Sequence, residues 1–325
     1  MHDLGLTLLV VPFGELKSRS VCALVRPVPS CTQIADGGKA GNVRDIRELK
    51  EDPEAYAEEL ERRWTGLLSY RYIGRSHASM NTGPIDNTVT LRRDMRNASG
   101  GLLVAPIAIA SPEGDVGPDL VAVPNPVIHC CQLLDAARDV KRIEVVASEV
   151  LKLGTRMGFS RSKIVDADDH DRVIAFTEGQ GVNLGTPPQG LEKMPESKLE
   201  IVDSPDLPPL WDAFGALRRS DGHWVLPELS PELASPDAAL HIGPQHVILE
   251  TAAIDLSADL VGTDMLQMRT WHVMFLARGK VGPFRVDGEA VRGATGVVGA
   301  RLVLHDEGNE DRAVTSASAS FQIVG

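Results

Sequence analysis

Long hydrophobic runs are missing from this 325-residue chain, and the apolar stretch at residues 4–13 is too short to cross a bilayer. It follows Asp3 rather than a basic segment, which argues against a secretory leader. Positive charge is in deficit: 33 Lys and Arg stand against 45 Asp and Glu, a net charge of −12. That balance argues against nucleic acid or an anionic membrane as the main partner, while leaving room for an anionic small molecule held by a local basic patch. Cysteine is scarce, and Cys22, Cys31, Cys130 and Cys131 have no metal-ligand spacing. They read as reduced structural thiols, and the protein as cytoplasmic, with no metal and no cofactor. Aromatic residues make up only 4%, so the cores must rest on the aliphatic share of a 43% hydrophobic composition.

What is present is concentrated at residues 241–260. A Gly243-Pro244 turn leads into a segment apolar nearly all round, carrying Val247, Ile248, Leu249, Ala252, Ala253, Ile254, Leu256 and Leu260. Proline suits the first turn of a helix, where its missing N–H would be unpaired anyway. A helix without a polar face belongs inside a fold. Glu250 is thereby a carboxylate in a dry wall, which either finds a partner or has its pKa raised. Both a structural pairing and a catalytic role fit that position.

Length favours two domains. Residues 1–50, broken by Pro27, Pro29, Gly37, Gly38 and Gly41, are expected to be disordered or loosely attached, and 51–74 to form a helical lead-in opened by Asp52-Pro53. A first domain spans 75–185, with strand-like segments at 88–91, 120–123, 141–153, 158–166 and 172–177 and a helix at 102–110 that Pro106 should kink or shorten. A proline-rich linker covers 186–206, and a second domain 207–325.

The second half repeats the first. Ser99-Gly100-Gly101 precedes His241-Ile242-Gly243 by 142 residues, while Glu149, Asp166, Asp171 and Arg172 precede Glu289, Asp306, Asp311 and Arg312 by 140. Each half then runs as glycine-led helix, long strands, acidic turn and final strand. One helix followed by such strands implies an α+β unit in which an antiparallel sheet wraps around the helix.

On these residues the second half resembles the hotdog-fold acyl-CoA thioesterases of the phenylacetate-pathway type. In that family a His-Gly-Gly turn precedes the central helix, with a carboxylate nine residues after the histidine and Thr-Ala following it. His241, Glu250, Thr251 and Ala252 stand at that spacing, with Ile242 departing from the first glycine. The resemblance covers 207–325 closely and 75–185 as a diverged copy, and implies two tandem hotdog domains, each with one central helix. It implies thioester hydrolysis, with Glu250 as general base or nucleophile and the Gly243 N–H, at a helix N-terminus, as oxyanion donor. His241 either fixes the turn or touches the thioester, and Thr251 meets the substrate. In the first copy Ser99 replaces the histidine and Ala108 stands where the carboxylate would be, so that copy is expected to complete the fold without catalysing. Paired hotdog units build sites across the pair and favour a homo-oligomer. Arg92, Arg93 and Arg96 precede the first helix, where they meet CoA phosphates or form a solvated basic turn; Arg96 is the candidate substrate contact.

Other patterns carry less. Asn125-Pro126-Val127-Ile128-His129 departs from the hotdog hydratase signature, with Val123 where an aspartate is required. Residues 179–185 hold glycines but no Lys-Ser/Thr, so no phosphate-binding loop is assigned. The clusters Asp166, Asp168, Asp169, His170 and Asp306, Glu307 read as solvated hairpins rather than metal sites. His246 reads as a packing residue. A non-catalytic acyl-CoA-binding protein and an enoyl-CoA hydratase remain as alternatives.

Overall fold

The computed structural model describes residues 43–74, 87–113, 124–183 and 201–325. The chain enters through a 3-10 turn (Ile46–Leu49) and helix α1 (Pro53–Gly66). Asp52 caps α1 by accepting the Ala55 N–H, with proline at the first helical position. Helix α2 (Leu68–Ile73), edge strand β1 (Thr88–Thr90) and helix α3 (Val104–Ala110) follow. Strands β2 (Pro124–Leu133), β3 (Arg142–Leu153), β4 (Met157–Asp166) and β5 (Asp169–Asn183) finish the first half. The second half supplies α4 (Leu210–Ala213), β6 (Leu217–Arg218), β7 (Trp224–Leu226), and the short ribbon of β8 (Ala234–Ser235) and β9 (Ala239–Leu240). Helix α5 (Ile242–Val261) then precedes β10 (Leu266–Phe275), β11 (Phe284–Arg292), β12 (Val297–Asp306) and β13 (Arg312–Ile323).

Eleven of these strands form one antiparallel sheet in the order β1-β3-β4-β5-β2-β10-β13-β12-β11-β7-β6. Apart from β6, the order is the same from either end once each strand is exchanged for its counterpart. The two halves meet where β2 pairs β10, with Cys130 opposite His272 at the centre of the register. The lead-in helices share the symmetry: Leu68 and Leu210, 142 residues apart, each open a short helix, and Tyr72 and Phe214 meet edge to face at 6.1 Å. The architecture is α+β, two tandem hotdog units, and the 140–142-residue offsets in the sequence are the offsets between β2 and β10, β3 and β11, and β4 and β12.

The two helices are less alike. All seven residues of α3 are buried, but it stops at Ser111, because Pro112 disfavours helical geometry in the residue before it. Pro106 does not kink α3; it is the third helical residue, as Pro244 is in α5. Counted from the helix starts the offset is therefore 138, which pairs Glu250 with Pro112 rather than with Ala108. Strand register is held by ladder pairing, whereas the length of the loop entering each helix is free to differ. In α5 every residue from Ile242 to Glu250 is buried, with Val247, Ile248, Leu249, Ala252 and Ala253 at most 2% exposed, while the last turn reaches the surface at Asp259 and Leu260. Burying one large aliphatic side chain contributes about 1.5–3 kcal/mol.

Of the leading segment 1–50, residues 1–42 lie outside the described residues, but 43–50 are not loose: Ile46 is fully buried beside Leu49, Tyr56 and Leu60, and its N–H donates to the Pro236 carbonyl at 2.9 Å. The strand-like segment 120–123 and most of the linker lie outside the described residues. Asp306 is not a solvated turn residue: fully buried, it accepts the N–H groups of Lys280, Val281 and Gly282 at 2.6, 3.1 and 2.7 Å. Its counterpart Asp166 is also buried, while Asp168 pairs with Arg142 and His170 with Glu144. Among the described residues no helix is long and apolar enough to cross a membrane.

Candidate functional site

Helices α3 and α5 pack together inside the sheet, and this brings the N-terminus of α3 against the middle of α5. The first N–H groups of a helix have no partner within it and carry the positive end of its dipole. Here two of them meet Glu250: the Val104 N–H donates to Oε1 and the Ala105 N–H to Oε2, both at 2.7 Å. Glu250 is 2% exposed. Burial pushes its carboxyl up to about 7 from the usual 4.5, against the opposing pull of the two amides.

That elevation has a measurable consequence for stability. A carboxyl held above its ordinary value favours the protonated fold, so the stability linked to it is present below about pH 4.5 and is lost as the pH rises through about 7. At about 1.4 kcal/mol per pH unit, about 3 kcal/mol is at stake. Denaturant unfolding of the wild type should weaken by about this amount relative to Glu250→Gln over that window; a gap that does not change with pH would show the carboxyl to be unperturbed.

The position of α3 rests on the loop before it. The Asn97 side chain accepts the N–H groups of Ser99 and Gly101 at 3.0 and 3.1 Å and donates to the Leu266 carbonyl at 3.0 Å. A Cβ at Gly101 would stand 2.1 Å from Gln267 Oε1, so a larger residue there would have to displace the end of the Gln267 side chain. Arg96 secures the same loop, its guanidinium donating to the carbonyls of Gly100, Ala137 and Val140 at 3.2, 2.7 and 2.6 Å. Although Arg96 borders the cavity described next, its donors are directed at the backbone. Arg92 is buried against Asp94 and the Tyr72 ring, and Arg93 alone of the three is largely exposed, paired with Asp203.

Glu250 opens onto a cavity of about 520 Å³. Ala105, Leu103 and Thr251 surround the carboxylate end, and Trp211, Trp224 and Ile254 form apolar wall beyond it. The Thr251 hydroxyl donates to the Val247 carbonyl at 2.8 Å, leaving its oxygen to accept.

His241 and Gly243 lie elsewhere. His241 is the N-cap of α5, its Nδ1 accepting the Gly243 N–H at 3.2 Å and standing 3.0 Å from Ser69 Oγ. Gly243 precedes Glu250 by seven residues on one helix, roughly 10 Å along its axis at about 1.5 Å per residue. A Cβ on Gly243 would lie 2.2 Å from Ser69 Oγ, so α2 fills the space in front of this helix end. The amides beside the carboxylate thus belong to the first copy, while the cap residues of the second copy sit at the symmetry-related position. His246 is fully buried, accepts the Trp271 indole N–H at 3.0 Å and is held well below the ordinary histidine range by burial. Cys131 is buried, and its thiol is pushed up by burial and then by the Glu250 charge, so it stays protonated; Cys22 and Cys31 lie outside the described residues.

Val104, Ala105, Trp211 and Trp224 escape the reading by motif. One signal for the first two was available: each half has a proline in its first helical turn, and aligning Pro106 with Pro244 marks the start of α3.

The chain is thus a double hotdog with a buried carboxylate closed over by the amide end of the opposite unit's helix. No protein-family model matches it, and no curated protein sequence does. Among solved structures it is similar to the TesB protein of Mycobacterium avium subspecies paratuberculosis, at 12% identity over 76% of this chain and 97% of that one, with a TM-score of 0.48. It is similar to the acyl-CoA thioesterase II of Mycobacterium marinum, at 12% identity, 76% and 96% coverage and a TM-score of 0.48. An acyl-ACP thioesterase of Bacteroides thetaiotaomicron is similar at 10% identity, 72% and 96% coverage and a TM-score of 0.42.

Proposed function

We propose that the protein hydrolyses acyl-CoA thioesters, with one site per chain built from Glu250 on α5 and the Val104 and Ala105 amides on α3. The observation that carries this reading is a buried carboxylate on two helix-end N–H groups, at the floor of a cavity with apolar walls. The acyl group lies along Trp211, Trp224 and Ile254, and the thioester carbonyl oxygen displaces one Glu250 oxygen from its amide. Glu250 keeps the other amide and uses the freed oxygen to take a proton from water as the water attacks the carbonyl carbon. The negative charge that develops on the carbonyl oxygen is held by the vacated N–H. Collapse of the tetrahedral intermediate expels the CoA thiolate, which recovers the proton from Glu250, and free acid leaves. Direct attack by Glu250 through an anhydride is the other route open to the same carboxylate. Arg93, exposed at the cavity rim, is placed for the CoA phosphates.

Thiol release from acyl-CoAs ranging from acetyl to palmitoyl, with enoyl-CoA hydration followed in parallel, tests the assignment. Thiol release is expected and hydration is not. Because the base must be ionised and its carboxyl is pushed up to about 7, kcat/KM should rise about tenfold per pH unit below 7 and level off above it. A flat profile across this range would remove Glu250 as the base. One feature favours an acyl-CoA-binding protein instead: the carboxylate already occupies both amides. Tight binding of the panel without turnover of any member would select that reading.

A further inference from the structure

A second, smaller cavity of about 160 Å³ lies beside the first, and two residues, Trp224 and Asp255, line both. They are bonded to each other: the Trp224 indole N–H donates to Asp255 Oδ2 at 3.1 Å. The wall they form is fixed from both sides. Arg218 holds the same Asp255 carboxylate at 3.2 Å, and the Trp211 ring packs edge-on against Trp224 with centroids 5.0 Å apart. Behind the wall the second cavity is floored by Ala252 and Leu256, one turn apart on α5, and by Val286 on β11. Asp221 and His223 form its outer rim. Aliphatic surface therefore resumes past Trp224, beside Asp221, His223 and Asp255, and is closed off by one side chain held by a hydrogen bond to an ion-paired carboxylate and by an aromatic contact.

We propose that Trp224, braced by Asp255, is the specificity-determining partition that sets the longest acyl chain the site accepts. The inference rests on the acyl-CoA thioesterase reading above. A chain that starts at Glu250 and runs along Ile254 ends against the indole, and one more methylene has no space until the indole is removed. Size sets the limit at the indole, and beyond it Ala252, Leu256 and Val286 offer aliphatic surface beside the polar groups of Asp221, His223 and Asp255.

The test compares wild type, Trp224→Ala and Trp224→Leu over the acetyl-to-palmitoyl series, reading kcat/KM for each chain. In both variants the upper limit should move to longer acyl groups. The ratio of kcat/KM for long over short chains should rise about fourfold for each methylene that gains a buried place. Adding Leu256→Trp, which fills the second cavity from a partly exposed position, should bring the limit back to that of the wild type. Binding of S-alkyl-CoA thioethers from S-ethyl to S-hexadecyl, measured by calorimetry, should follow the same order without any turnover. Chain-length profiles of the Trp224 variants parallel to that of the wild type, in either measurement, would overturn the partition. A wild type that hydrolyses no acyl-CoA but whose thioether binding shifts with Trp224 would instead refute the hydrolytic reading and leave the partition standing.

Discussion

Glu250→Gln is expected to lower kcat for acyl-CoA hydrolysis by about 10²–10⁴, the range by which a positioned general base accelerates its step. The amide keeps the size of the side chain and the apolar environment around it, but it accepts no proton at working pH and attacks no carbonyl. It does leave one imperfection. A carboxylate accepts from both Val104 and Ala105, whereas the NH2 group of glutamine faces one of those donors. A buried donor left unmatched costs about 1–3 kcal/mol, and removing the buried carboxyl offsets part of that above pH 7. The variant should therefore fold, bind S-alkyl-CoA thioethers and turn over almost nothing. Single-turnover thiol release from purified, folded protein is the measurement. A rate within a few fold of wild type would move the chemistry away from this carboxylate.

Val104→Pro should cost about 10²–10³ in kcat, the usual loss on removing one oxyanion donor. Backbone donors are rarely open to mutation, but this one is. Val104 is the first residue of α3, where proline is the best tolerated, and the extended backbone at Leu103 (φ −68°, ψ 151°) suits the residue before a proline. The substitution deletes one N–H and leaves the rest of the helix its hydrogen bonds. Val104→Ala, which keeps the N–H, isolates the donor: the gap between the two variants is the contribution of that amide. The comparison also separates two places for the oxyanion. With the donor at Val104, the proline variant loses rate and the alanine variant keeps most of it. With the donor at Gly243, both would behave alike.

Much of this was legible in the sequence. The buried helix around Glu250, the duplication and the strands at 142–153 and 157–166 all follow from hydrophobic patterning and from turn residues recurring at a fixed offset. β2 was harder to see, because Pro124 and Pro126 break the pattern of a strand that lies at the centre of the sheet. The histidine-led turn and Glu250 are near neighbours in sequence, and motif spacing ties them to one site. The fold separates them along α5 and joins Glu250 to amides 145 and 146 residues away. Local spacing contains nothing of that contact. It follows only from the way two units pack, with the N-terminus of one helix set against the middle of the other. The cavity walls are hidden for the same reason, since Trp211 and Trp224 precede the helix whose carboxylate they accompany.

The two donors facing Glu250 are main-chain groups, and any residue other than proline supplies the same N–H. Within what the packed core allows at 104 and 105, the first unit can therefore exchange those side chains and still present the same two N–H groups. In the proposed reaction the second unit has no such freedom at 250, where the base is a side-chain carboxylate. Two copies of one fold are thus held to different standards of inheritance: one must preserve a shape, the other a letter. A half that looks like an eroded duplicate, stripped of histidine and carboxylate, can be as indispensable to the reaction as the half that kept them.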